Sequence, residues 1–355
     1  MDHRAPDLVV VRSVPLNAET PYAAFGEPIT PVASHYVRSN FPIPEHDGTL
    51  SVGGAVGNPL RLDVADLAAM PSVTLPVTME CAGNGRVGMR PLPVGEPWAG
   101  TAVGTARWTG VPLTAVLAMA EPSSAAVEVA FTGADRGPYK GGETVHFGRS
   151  LDIDRAMDPA TPALIATMMN GEPLTISHGA PLRLVVPGWY GMASVKWLDR
   201  IEVREAPFDG PYQVRSYVYE WEDGPPEPVS TGKVRALVTD PVPGSEVAPG
   251  ARTIRGWAWA GGEAVTSVEV STDGGDVWRP ADLGEPVGVW AWRPWSHGWE
   301  PAEEGRHVIR ARATAATGEV QPDRPRWNRQ GYGNNATLAV VIDVRADAGG
   351  DDEPV

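Results

Sequence analysis

From about residue 230 onward, apolar and polar positions alternate in short runs. In "VRALVTDPVPGSEVAPGARTIRGWAWAGGEAVTSVEVSTDGGDVW", Gly- and Pro-rich turn signals interrupt the alternation about every ten residues. A period of two marks half-buried strands, and turns at this spacing predict an immunoglobulin-like sandwich over residues 230–344. Upstream the pattern is mixed. "LSVGGAVGNPLRL" predicts two short strands around a turn, and "DVADLAAM" a short helix. "LPVTMECAG" predicts a strand running into a tight turn. "TGVPLTAVLAMA" predicts an amphipathic helix opening with Pro in its first turn. "AVEVAFTGAD" and "LRLVVPG" read as strands, and "ATPALIATMMNG" as helix and turn. Strands and short helices mix without a regular βαβ alternation, so the fold class is α+β. Residues 1–35 are Pro-rich and aperiodic and predict an extended arm wrapped on the body. Residues 36–208 form the mixed domain, and residues 209–229 a connection with anchored aromatics. The small, acidic residues 345–355 predict a disordered tail.

Composition narrows the function. Of 355 residues, 42% are hydrophobic and 21% charged, which suffices for a large core in two or three domains. Net charge is −15, which argues against nucleic acid or an anionic membrane as partner. An anionic substrate would have to be collected by local positive charge. No stretch approaches the ~18 apolar residues of a membrane span, and the N-terminus lacks the pattern of a leader peptide. These features predict a cytoplasmic protein without membrane insertion. The spacing in "VGGAVGNP" resembles a phosphate loop, but no helix follows, so it reads as a strand bend.

The chain uses cysteine once, at Cys81 in "VTMECAGNGRV". A lone cysteine is commonly a small buried hydrophobe. Arg86, five residues on, could instead favour the thiolate. Thiol catalysis needs a histidine in reach, and zinc needs clustered ligands; neither is local here. A single thiolate on a soft metal that a cofactor mostly supplies is the third reading.

"VTMECAGNGR" resembles the cysteine loop of the sulfite oxidase family, the molybdenum-cofactor enzymes that include eukaryotic nitrate reductases. The likeness continues in order through "YVRSNFPIP", with its R-x-x-x-P-x-P spacing, and "TARWTGVPLTAVL". It extends through the long block "RAMDPATPALIATMMNGEPLTISHGAPLRLVVPGWYGMASVKWLDRIEV" to "IRGWAWAGG", "VEVSTDGGDVW" and "WNRQGYGNN". The resemblance implies a molybdopterin-binding domain followed by a dimerisation domain, hence a homodimer. It implies a molybdenum–molybdopterin cofactor with Cys81 as the protein's one bond to the metal, the glycine-rich turn letting the backbone approach that cofactor. Arg38, Arg86, Tyr217 and Gln330 match the substrate face. Tyr36, Arg38, Ser39, Asn40, Cys81, Asp135, His178, Arg183, Ser194, Val195 and Lys196 match the cofactor contacts. The implied reaction is oxygen-atom transfer to a small anion, sulfite giving sulfate.

Each position also has a plainer reading. His178 reads as a structural histidine, Arg183 and Lys196 as solvated cations, Tyr217 as a linker aromatic and Trp98 as packing. The tryptophan run "VWAWRPWSHGW" reads as sandwich core and dimer interface.

The sequence departs from the family at three points. Family sulfite oxidases read W-N-L-R-G where this chain has W-N-R-Q-G, so a neutral Gln330 stands in place of an arginine and Arg329 lies beside it. Asn40 stands where histidine is common. No haem segment is present, so no haem is expected and electrons pass to a separate acceptor. Two other readings are carried: reduction of nitrate or of an S- or N-oxide on the same cofactor, and a non-catalytic assembly scaffold.

Overall fold

Residues that alternate in sequence pair as strands in the computed structural model, which describes residues 7–301 and 303–346. The predicted disordered tail lies, from residue 347 on, outside the described residues, as do residues 1–6. The chain divides into two units. One comprises residues up to Pro21, Ile29–Gly232 and Trp327–Asn334, and the other Tyr22–Pro28, Lys233–Arg326 and the chain from Asn335 on. Both divisions differ from the sequence reading. Residues 22–28 group with the second unit, and residues 327–334, expected within the sandwich, group with the first.

The N-terminal segment is not a simple extended arm. Strands β1 (Val9–Arg12) and β2 (Asn17–Glu19) form an antiparallel hairpin, and 3-10 turns follow at Tyr22–Gly26 and Val32–Ser34. The buried Glu19 carboxylate accepts the backbone amides of Ala99, Gly100 and Thr101 at 2.9–3.0 Å. That long-range anchor leaves no local signal.

Two five-stranded sheets build the first unit. One runs β4 (Leu60–Leu62), β3 (Leu50–Gly54), β12 (Leu198–Arg204), β7 (Glu128–Pro138), β8 (Thr144–Asp152). The other runs β10 (Glu172–Pro173), β9 (Leu164–Met169), β6 (Val103–Pro112), β5 (Val73–Glu80), with β11 (Arg183–Val185) pairing β9. Helix α1 (Val64–Ala69) starts at a capping box, Asp63 and Asp66 each accepting the other's backbone amide. Helix α2 (Leu113–Ala120) starts after Pro112 and buries Leu113, Val116 and Leu117. "LIATMM", read as helix, is strand β9, zipped antiparallel between β6 and β11. A short apolar run has no period of its own, and pairing on both sides decided its state. The core includes Leu50, Phe131, Ile165, Leu184 and Ile201.

The second unit is an all-β sandwich. A four-stranded sheet (Arg235–Asp240, Arg252–Trp259, Arg293–Trp299, Asp282–Leu283) accompanies a five-stranded one (Glu246–Val247, Val340–Val344, Gly305–Ala315, Val265–Ser271, Arg279–Pro280). Ile254, Trp295, Ile309 and Ile342 lie in its core. Trp257 and Trp292 stack with centroids 4.9 Å apart. Their indole N–H groups donate to the carbonyls of Phe25 and Pro28 at 2.8 and 2.9 Å, which ties residues 22–28 to this unit.

Candidate active site

The turn after β5 places Cys81. Its amide donates to the Ala102 carbonyl and its carbonyl accepts from the Asn84 amide. The Asn84 side chain staples the loop, donating to Glu80 Oε1 at 2.8 Å and accepting from the Ala102 amide at 3.0 Å. Strand β5 therefore ends rigidly at a buried thiol.

Eleven of the residues named from sequence line one cleft with Cys81 among them: Tyr36, Arg38, Ser39, Asn40, Cys81, Asp135, His178, Arg183, Ser194, Lys196 and Tyr217. They come from segments far apart in the chain, all within the first unit. Gly191 makes room for this lining, since a Cβ there would lie 2.4 Å from the Tyr36 hydroxyl.

Electrostatics in the cleft follow from burial. Desolvation pushes the Cys81 thiol up, against the opposing pull of Arg38 and, more weakly, Arg86. Arg86 thus pulls toward the thiolate, as expected, but burial outweighs that pull. Arg38 donates to Asn40 Oδ1 at 2.6 Å and to the Ser39 carbonyl. Lys196 donates to Ser39 Oγ and the Ser177 carbonyl, both at 2.8 Å, and burial holds its pKa well below the ordinary value. Burial pushes the Asp135 carboxyl up to about 7 against the pull of Lys196. Arg183 donates to the carbonyls of His178 and Ser194 at 2.9 Å and packs over Trp108. Burial lowers its pKa only to about 10, so it stays charged at neutral pH.

Two histidines remain neutral. Burial takes His35 down to about 4 and His178 well below its ordinary value. His178 Nε2 faces the His35 carbonyl at 3.3 Å, so that nitrogen donates, and Nδ1 accepts from the Thr175 hydroxyl at 2.8 Å. His35 Nδ1 faces the Tyr36 carbonyl, leaving Nε2 as a bare acceptor.

Tyr217 is held in a left-handed backbone conformation, φ 55°. Asn40 Nδ2 donates to its hydroxyl at 3.3 Å. Its ring stacks on Tyr332, from the "WNRQGYGNN" loop.

Three named residues do not line the cleft. Val195 is buried in the core, its backbone carbonyl accepting from Leu184. Arg86 turns away, donating to the carbonyls of Glu96 at 2.7 Å and Gln330 at 3.2 Å, 5.4 Å from the Tyr332 ring centre. The glycines near it make room for this guanidinium: Cβ atoms at Gly83, Gly95 or Gly331 would meet it at 2.4–2.9 Å. Gln330 points outward, donating to Glu220 Oε1 and the Arg215 carbonyl. Arg329 is no substitute, its side chain being 79% exposed and 4.0 Å from Glu220. Trp98 is fully buried packing.

Sequence reading missed His35, Met79, Phe147, Ser177 and Trp197, which also line the cleft. His35 adjoins Tyr36 and Ser177 adjoins His178, and adjacency was the available signal. Phe147 had none.

The cleft fits an anionic, heteroatom-rich group joined to a soft metal. Two buried atoms of its lining have no partner, His35 Nε2, an acceptor, and Asp135 Oδ1. A ring system carrying N–H donors would satisfy them. Three basic side chains, Arg38, Arg183 and Lys196, face one acid, Asp135, which suits a phosphate. One thiol offers a single soft ligand, and among the described residues no cluster of His, Cys, Asp and Glu could hold a metal unaided.

The family described as oxidoreductase molybdopterin binding domain matches residues 39–212, and the Mo-co oxidoreductase dimerisation domain matches residues 228–345. Mitochondrial sulfite oxidase of Mus musculus is 37% identical over 96% of this chain and 66% of its own length. Sulfite oxidase of Gallus gallus is 37% identical over 92% and 76%. A nitrate reductase of Petunia hybrida is 33% identical over 93% of this chain and 40% of its own. The chain thus spans less than two thirds of the length of the mouse relative and less than half of the plant enzyme. The crystal structure of the sulfane dehydrogenase SoxCD from Paracoccus pantotrophus superposes with a TM-score of 0.80 at 28% identity, covering 94% of this chain and 88% of that one. With two family domains in order, relatives matched along nearly the whole chain and a cleft built around one thiol, the chain belongs to the sulfite oxidase family of molybdopterin-binding oxidoreductases.

Proposed function

We propose that the chain oxidises sulfite to sulfate and hands the electrons to a separate acceptor. The observation that carries this reading is the balance of groups around Cys81: two charged arginines, a buried lysine and one weakened acid in a chain of net charge −15. Cys81 would hold the molybdenum, and Tyr36, Ser39, Asn40, Asp135, His178, Arg183, Ser194 and Lys196 would hold the pterin and its phosphate. Bound there, the cofactor supplies a two-electron, oxygen-atom-transferring centre.

The protein's own residues do the rest. Cys81 must release its proton on ligating the metal, so cofactor binding is coupled to pH. Arg38 presents a guanidinium that can exchange its contact with Asn40 for a substrate oxygen. Tyr217 accepts from Asn40, which leaves its own O–H free to donate to that substrate. Phe147, Met79 and Trp197 exclude water and strengthen these interactions. Sulfite and one water give sulfate, two protons and two electrons; the electrons leave to the acceptor and the protons to solvent.

The opposite direction, reduction of nitrate or of an S- or N-oxide, is favoured by one observation: the nitrate reductase of Petunia hybrida is 33% identical over 93% of this chain. Purified, molybdenum-loaded protein separates the readings. Sulfite-dependent bleaching of ferricyanide supports the first. Viologen-driven nitrate reduction without it replaces the first by the second. Folded protein devoid of molybdenum and pterin would support a scaffold. We further propose a homodimer formed through the domain at residues 228–345, and a monomer in sedimentation at micromolar concentration contradicts it.

A further inference from the structure

We infer that Arg149 is a specificity-determining residue of this site, a buried cation behind Tyr217 that makes the cleft select doubly charged anions. The inference rests on reading the cleft as the site of sulfite oxidation.

Arg149 lies on β8 two residues after Phe147, which lines the cleft, so the strand's period of two puts both side chains on one face. Its side chain is almost wholly buried, with 1% of the residue exposed. It donates to the carbonyls of Tyr212 and, at 3.1 Å, Val229; Nε has no partner. No ion pair to it occurs among the described residues, and Glu128 is the one carboxylate that acts on it, weakly. The guanidinium carbon lies 5.8 Å from the centre of the Tyr217 ring. Burial lowers its pKa to about 10, against the opposing influence of Tyr217 and Tyr332, so it stays charged at neutral pH.

A fully buried arginine without a carboxylate is a poor way to stabilise a fold. Buried charge beside a cleft is a common mark of function. Poorly screened by solvent, this charge adds to those of Arg38 and Arg183. It also replaces what position 330 does not provide, since Gln330 faces Glu220. Geometry is coupled to charge here. Val229, whose carbonyl Arg149 holds, donates its amide to the Tyr217 carbonyl at 2.9 Å, so Arg149 also braces the strained tyrosine.

The test uses the full, molybdenum-loaded chain as wild type, Arg149→Lys, Arg149→Gln and Arg149→Met. Sulfate affinity is read from thermal shift without turnover, and the KM for sulfite is compared with kcat. Both neutral variants should bind sulfate about tenfold more weakly and raise KM about tenfold, with a smaller fall in kcat. Arg149→Lys should keep both within about threefold. Folded neutral variants with wild-type sulfate affinity overturn the inference. Should neither neutral variant fold, Arg149→Lys decides: retained affinity supports the charge, and a tenfold loss in that folded variant assigns the role to hydrogen-bond geometry and overturns it. A wild type that binds sulfate but does not oxidise sulfite removes the substrate reading and leaves this one to the titration. A wild type that binds no sulfate overturns the inference, and bleaching of ferricyanide by sulfite then decides the substrate reading by itself.

Discussion

The ring of Tyr332 stacks on that of Tyr217, centroids 5.2 Å apart and planes 23° apart. Arg86 lies against the first ring and Arg149 against the second. Tyr332 comes from the loop in which position 330 had been expected to reach the substrate. The loop's contribution is this ring, which sits behind the cleft rather than in it.

Tyr332→Ala should lower kcat/KM for the proposed reaction by up to about tenfold, while Tyr332→Phe stays within about twofold. The left-handed backbone of Tyr217 costs about 1–3 kcal/mol, and a stacked aromatic pair returns about 0.5–1.5 kcal/mol. Phe keeps the stack and Ala removes it. Steady-state kinetics decide, and equal losses in both variants would shift the role from the ring to the phenol oxygen.

Gln330→Arg should leave the KM for sulfite within about twofold of wild type, because residue 330 points at Glu220 and the Arg215 carbonyl. A surface pair of that kind is worth about 0–1 kcal/mol. Arg329→Ala should be equally silent. A KM lowered tenfold by Gln330→Arg would mean that the loop turns inward when the cofactor is bound.

Cys81→Ser should leave the fold intact and turnover at least about a hundredfold below wild type. A serine oxygen is a harder and poorer third ligand than a thiolate. The check is molybdenum content and activity of the same preparation. Near-normal turnover at full metal loading would remove the ligand role.

His35 gives a pH signature in the cofactor-free protein. Its folded pKa of about 4 lies below the ordinary 6.5, so the unfolded chain binds more protons between those values. The stability it contributes is present above pH 6.5 and is lost as pH falls toward 4. Asp135, raised to about 7, acts oppositely over an overlapping range, so wild type alone is uninformative. The stability difference between wild type and His35→Asn isolates the term. It should move against wild type by about 1.5 kcal/mol between pH 6.5 and 5, the slope approaching about 1.36 kcal/mol per unit only below pH 6. Urea midpoints at the two pH values measure it, and a pH-independent difference would place the imidazole in contact with water.

Much of the fold was legible where the signal is local. The alternation after residue 230 folds as two sheets, and Asp63 with Asp66 caps α1. "LIATMM" was misread because an apolar run of six is compatible with either state until neighbours pair with it. In the cleft, motif matches named Arg38, Asp135 and Lys196, which the structure gathers around Cys81. They could not show that Gly331 closes on Arg86 beside Gly83 and Gly95, because that contact joins residues more than two hundred positions apart.

The sequence alone determined the strand alternation after residue 230, the single thiol at the end of a strand, an acidic chain with few cations, and the family to which it belongs. Each of these is a matter of residue identity, local period or motif order. Tertiary structure decided which cations serve the cleft. Arg86, next to the thiol in sequence, turns to the Tyr332 loop, while Arg149, with no motif around it, is buried behind Tyr217. The physical reason is that a charge acts through distance and dielectric, and the folded chain sets both by packing strands whose sequence separation carries no trace of the contact.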